Sequence, residues 1–151
     1  MGISDDLKKS HVGILAAVEN LTSEEMAREK TIGEWSVRDV ILHIAMWEGE
    51  VLKALAVWKT GHGFDSSYVT DYNFILKFND FWIENLKHFS PQQILQMFNL
   101  THFALIIEVA AIPEEIWEKR GGVPKWLRDV TVDHNDEHIS KLHAYKKSLE
   151  K

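Results

Sequence analysis

Asp133-His134-Asn135-Asp136-Glu137-His138 lies near the C-terminus of the 151-residue chain. Read as helix, it sets His134 and His138 one turn apart on one face. Leu142, Tyr145 and Leu149 continue that face forward, and Val130 and Leu127 continue it backward. The spacing therefore predicts a last helix that starts well before Asp133, with Pro124 placed to open it. The two histidines occupy positions where an amphipathic helix would carry Leu or Ile. Two readings fit them: half of a metal site inside a helical bundle, or two hydrogen-bonded core histidines.

The rest of the chain supplies the bundle. One domain spanning residues 1–151 is long enough to bury a real core. Three prolines and little period-two alternation indicate an all-α chain. A net charge of −6 argues against a nucleic-acid partner, which calls for a basic footprint. The absence of cysteine excludes disulfides, a thiolate nucleophile and Cys-ligated zinc. The acidic start lacks the form of a signal peptide, and no stretch reads as a membrane span, so a cytoplasmic location with no membrane partner is expected.

In order, Ser4 is the expected cap of a first helix whose stripe is Leu7, Ile14, Leu15 and Val18, with His11 at the core edge. Thr22-Ser23-Glu24-Glu25 caps a short second piece. Ser36 and Asp39 form a capping box for a long helix to about Thr60. Its apolar face is Val37, Val40, Ile41, Ile44, Val51 and Leu55, with His43 on the flank beside Trp47 and Glu50. Glu48 falls inside the apolar arc, where a carboxylate needs a partner such as a metal, a bound water or a His N–H. Asp71 to Phe89 reads as a helix with two apolar sides, and its second stripe of Phe74, Phe78 and Phe81 predicts either a pocket wall or a homodimer surface. Ser90-Pro91-Gln92-Gln93 starts a helix that buries Ile94, Phe98, Thr101, Leu105 and Ile112 and leaves His102 exposed.

Four main helices with short connections form a four-helix bundle, and bundle cores are where facing helices build metal sites. His43, His134 and His138 then supply three imidazoles suited to zinc, nickel, iron or manganese. Three protein ligands leave a position open, the mark of a catalytic metal site.

The segment Gly33-Glu34-Trp35-Ser36-Val37-Arg38-Asp39-Val40-Ile41-Leu42-His43-Ile44-Ala45-Met46-Trp47-Glu48 resembles the second-helix motif of the DinB/YfiT-like superfamily. Asp133-His134 through His138 is similar to that superfamily's C-terminal His-x-x-x-His. Asp71-Tyr72-Asn73 and Ile112-Pro113-Glu114-Glu115 look most like its ClbS/DfsB-type branch, although Asn135 stands where that branch often carries an aromatic. The resemblance implies a DinB/YfiT-like four-helix bundle with an additional helix and short connecting turns. It also implies a divalent transition metal on His43, His134 and His138, and a small-molecule substrate with, in some branches, a low-molecular-weight thiol. Thiol-dependent transferases, maleylpyruvate isomerases and detoxifying hydrolases all occur in the superfamily, so a metal-dependent hydrolase or thiol S-transferase in detoxification or stress response is expected. Glu48 and Glu50 are then the candidate catalytic bases, and Trp47 and Asn73 the candidate substrate-pocket residues. The alternative is a non-catalytic protein that binds or sequesters a small molecule in the bundle pocket.

Overall fold

The computed structural model describes residues 2–150. Among them the chain forms α1 (Ile3–Val18), α2 (Ser23–Ala27), α3 (Val37–Lys59), a 3-10 turn (Ser67–Thr70), α4 (Tyr72–Asn85), α5 (Pro91–Ala110), α6 (Glu114–Lys119), α7 (Lys125–Val130) and α8 (Val132–Ser148). No strand forms among the described residues, and an isolated bridge joins Ile32 and Trp35. The long helices α1, α3, α5 and α8 make the bundle. α3 packs chiefly on α5, and α1 on α8 and α5, while α4 lies outside against α3 and the 3-10 turn.

The predicted start signals hold where side-chain chemistry dictates them. Thr22, Ser36 and Ser90 each accept from the backbone N–H three residues on, and Glu25, Asp39 and Gln93 reach back to complete three capping boxes. Ser4 does not cap α1: the helix already begins at Ile3 with Gly2 at its N-cap. α4 stops at Asn85, short of Phe89, because the buried Arg38 guanidinium claims the carbonyls of Leu86 and Phe89. The last helix is two. Thr131 departs from helical geometry (φ −119, ψ −90) and its hydroxyl donates to the Leu127 carbonyl, a back-bond that bends the chain between α7 and α8. α5 is long and apolar enough to cross a membrane by length and composition, yet here it is a bundle helix burying Ile94, Phe98, Leu105, Ile106 and Val109.

α1 approaches α8 closely at Gly13, where an added Cβ would sit 2.9 Å from Ile139 Cδ1. The buried apolar residues fall into two clusters. One holds Ile14, Ile41, Phe98 and Leu142, and the other Leu7, Val51, Leu105 and Val132. On every long helix the residues between these clusters include a buried polar group: Ser10 and His11 on α1, Glu48 on α3, His102 on α5, and Asn135 and His138 on α8. A polar layer thus crosses the bundle at mid-height.

Candidate metal centre and the buried clasp beside it

His43 reaches the layer from α3, and the i, i+4 pair His134 and His138 reaches it from α8. The three Nε2 atoms converge: His43 to His134 is 2.7 Å, His134 to His138 is 3.0 Å, and one ring nitrogen from each lies within 4.8 Å of the others. Nitrogens held at ~2.0–2.1 Å by a tetrahedral metal stand roughly 3.3 Å apart, so the His134–His138 contact is about 0.3 Å short of ligand spacing and the His43–His134 contact about 0.6 Å short.

The hydrogen-bond partners fix which nitrogen of His43 carries the proton. Asn79 Oδ1 accepts from Trp47 Nε1 at 2.9 Å, and an indole N–H can only donate. The same oxygen is 2.9 Å from His43 Nδ1, so Nδ1 must donate to it and the neutral ring presents a lone pair at Nε2. Nδ1 of His134 and of His138 is buried without a partner among the described residues, which leaves no anchored proton to separate the converging nitrogens. Burial, then the neighbouring His134 and His138, holds His43 well below the ordinary imidazole range. Burial, then His138, lowers His134 to about 3, and burial, then Lys141, lowers His138 to about 4. Three neutral imidazoles with no proton for each contact are a donor set that a divalent cation satisfies.

A cavity of about 270 Å3 opens onto the cluster, lined by His43, His134, Trp47, Ile75, Asp129 and Val130 together with Val69 and Thr70 of the 3-10 turn. Trp47 is thus on the cavity wall. Asn73 is exposed and does not line it. Asp129, whose carboxylate pairs with Lys125, is a polar wall residue that helix-face reading missed. The aromatic stripe of α4 divides: Phe78 packs on Trp47 with ring centroids 4.5 Å apart, while Phe81 is 55% exposed.

The candidate bases lie elsewhere. Glu50 accepts from Lys53 at 2.7 Å and does not border the cavity. Glu48 is fully buried and receives His102 Nδ1 at 2.8 and 2.9 Å and Asn135 Nδ2 at 2.9 Å. Its expected partner exists, and it is a His N–H. His102, expected to be exposed, is fully buried. Its other nitrogen donates to the Leu7 carbonyl at 2.7 Å, so both ring nitrogens are donors and the ring is an imidazolium. Burial alone would push His102 down, but the hydrogen bond and charge of Glu48 and the Leu7 carbonyl together hold it above its ordinary value. Asn135 Nδ2 also donates to Ser10 Oγ at 3.0 Å. Glu48, His102, Asn135, Ser10 and the Leu7 carbonyl therefore clasp all four long helices. The aromatic expected at position 135 would have left Glu48 without this donor.

Residues 7–135 match the family described as the mycothiol maleylpyruvate isomerase N-terminal domain. His43 and His134 lie within that span and His138 just beyond it. No curated protein matches the chain. Two solved structures share its fold over nearly the whole length. The sibling lethal factor precursor DfsB has a TM-score of 0.74 at 11% identity, covering 97% of this chain and 94% of that one. A protein from Streptococcus pneumoniae has a TM-score of 0.73 at 12% identity, covering 95% and 88%.

Proposed function

Because the chain belongs to the mycothiol maleylpyruvate isomerase N-terminal domain family, within the DinB/YfiT-like superfamily, we propose that it is a metal-dependent enzyme acting on a small molecule with a low-molecular-weight thiol as co-substrate. The observation that carries this reading is the convergence of three neutral imidazole nitrogens beside an open cavity whose wall includes His43 and His134. His43, His134 and His138 would hold the metal. A divalent cation there supplies Lewis acidity, lowering the pKa of a coordinated thiol or water toward neutrality. The chain's own residues do the rest. Asn79 fixes the His43 ring, and Trp47, Ile75, Val69 and Val130 exclude bulk water from the reacting face. Asp129 is the carboxylate placed to accept a proton at the cavity wall, and its pair with Lys125 holds it there.

The test is metal content and thiol dependence. Protein purified without a His tag should carry about one transition metal per chain, and loss of His134 and His138 together should remove it. Turnover of electrophilic small molecules should require added thiol. Absence of bound metal, with no zinc or nickel uptake by calorimetry, would overturn the reading. Metal-dependent turnover without thiol would redirect it to a hydrolase. A second reading, sequestration without turnover, is favoured by one observation: the clasp keeps Glu48 from acting as a free base. Tight small-molecule binding with no product formation would establish it.

A further inference from the structure

α4 is the outer wall of the cavity, and it is thinly attached. Ile75 lines the cavity from α4, and Val69 and Thr70 line it from the turn just before. Among the residues of α4, only Asn79 is buried. The C-terminal end of the helix is secured: Ile83 and Leu86 pack on the core, and Arg38 takes the Leu86 carbonyl. The N-terminal half has no comparable apolar anchor, since Tyr72, Phe74 and Leu76 are exposed. Segments with few buried contacts open at low free-energy cost. What ties α4 to the bundle at its middle is one amide oxygen, Asn79 Oδ1, accepting two donors, His43 Nδ1 and Trp47 Nε1, both at 2.9 Å, beside the ring contacts of Trp47 with Phe78 and, at 6.4 Å between centroids, with Phe74 of the N-terminal half.

We propose that Asn79 is a positioning residue that couples metal occupancy at the three-histidine cluster to the seating of α4 against the cavity. The inference rests on the metal reading above and adds regulation of access to it. A cation at Nε2 withdraws electron density from the His43 ring, which makes Nδ1–H a stronger donor to Asn79. The strengthened bond holds the N-terminal half of α4 down. Conversely, a seated α4 keeps His43 in the ligand tautomer. The linkage is reciprocal, as any equilibrium coupling must be.

Hydrogen exchange across residues 72–79, with and without zinc chloride, reads the coupling directly, and calorimetry gives the affinity. In the wild type, zinc should slow exchange in this segment by about tenfold or more. Asn79→Leu, which fills the site but accepts nothing, should lose that response and bind zinc about 10–100-fold more weakly. Asn79→Asp, which still accepts from both donors, should retain the response and bind at least as tightly as the wild type. Zinc binding that leaves exchange in 72–79 unchanged overturns the coupling and leaves the metal site standing. So does wild-type affinity and protection in Asn79→Leu. If the leucine variant does not fold, weaker zinc binding by Asn79→Asp overturns it alone. No zinc binding by the wild type overturns the metal reading itself.

Discussion

The two buried histidine groups share the polar layer and two helices, α3 and α8, yet are built on opposite chemistry; the clasp also takes His102 from α5 and Ser10 from α1. The three-histidine cluster crowds three Nε2 atoms that neutral rings cannot supply with a proton for each contact: Nδ1 of His134 and of His138 has no partner among the described residues, and burial keeps the imidazoles neutral. The clasp does the reverse. Both nitrogens of His102 donate, Glu48 receives three contacts, and the ring is held charged. A buried polar group costs stability when unsatisfied and costs little when fully bonded. The clasp bonds each of its side chains across helices and so specifies the bundle, although Asn135 Oδ1 has no partner among the described residues; the cluster leaves Nδ1 of both His134 and His138 without one. Unsatisfied groups retained in a core mark a ligand site.

The largest expected effect breaks the clasp. Glu48→Leu would leave the buried His102 Nδ1 and the Asn135 side chain without their carboxylate partner and force His102 to neutralise, at a cost of about 3–5 kcal/mol in urea denaturation. Adding His102→Leu removes the stranded ring and should recover much of that loss. A double variant no better than the single would show that the carboxylate, rather than the pair, holds the helices. Equivalent removal in the cluster should behave differently. Metal-free His138→Leu should be no less stable than the metal-free wild type, because the ring it removes is poorly bonded.

Adding metal inverts that order. Zinc at a hundredfold excess over its dissociation constant should stabilise the wild type by about 2.7 kcal/mol. The stabilisation should vanish in His134→Ala and persist in a folded clasp variant such as Glu48→Gln. Thermal melting with and without zinc checks both. If Glu48→Gln lost the zinc-induced shift, the clasp and the cluster would have to be treated as one site.

Protons separate the two regions by sign. His134 and His138 have folded pKa values below the unfolded value of about 6.5, so the unfolded chain binds more protons between pH 6.5 and about 4. Their contribution is present above pH 6.5 and is lost as pH falls, by roughly 2 kcal/mol per imidazole at pH 5. His102 is raised, so its contribution is complete below pH 6.5 and is lost as pH rises through its folded value. Metal-free protein should thus weaken from pH 7 to pH 5, and replacing His134 and His138 by leucine should flatten that slope. A wild-type slope that survives both replacements would place the acid sensitivity on His43, whose burial also depresses it, or outside the cluster.

The sequence reveals these two regions unequally. The three-histidine cluster was legible because the His-x-x-x-His spacing and the capped His43 segment are local patterns, and the capping boxes were legible for the same reason. The clasp depends on which side chains meet across helices, which no local pattern encodes. One signal was available: His102 stands four residues after Phe98 and three before Leu105, on the stripe that α5 buries. Choosing Thr101 for that stripe rotated the expected face and placed His102 outside. Asn79 falls on the side of α4 that carries Ile75, Ile83 and Leu86, so its burial was legible, but not the two donors it would meet across helices. The break at Thr131 lacks glycine or proline and follows from a single side-chain back-bond.

The smallest effect tests the remaining carboxylate. Glu50 is one turn beyond Met46 on α3, close in sequence to Glu48 and Trp47, yet it accepts from Lys53 and does not line the 270 Å3 cavity. Its pair is partly solvated, with Lys53 74% exposed, and such pairs contribute about 0–1 kcal/mol. Glu50→Gln should therefore change stability by no more than that, and leave zinc affinity and any turnover within about twofold. Asp129→Asn should leave stability similarly unmoved, because its partner Lys125 is also exposed, but should lower turnover by about 10²-fold or more if Asp129 handles the proton at the cavity wall. The pair of variants, compared in one assay, sharpens the division of the molecule. The two carboxylates each pair with an exposed lysine, but Asp129 borders the cavity and is the more exposed, 43% against 19% for Glu50. Equal effects from both would remove proton transfer from the cavity wall, and a large loss from Glu50→Gln alone would return the catalytic base to α3.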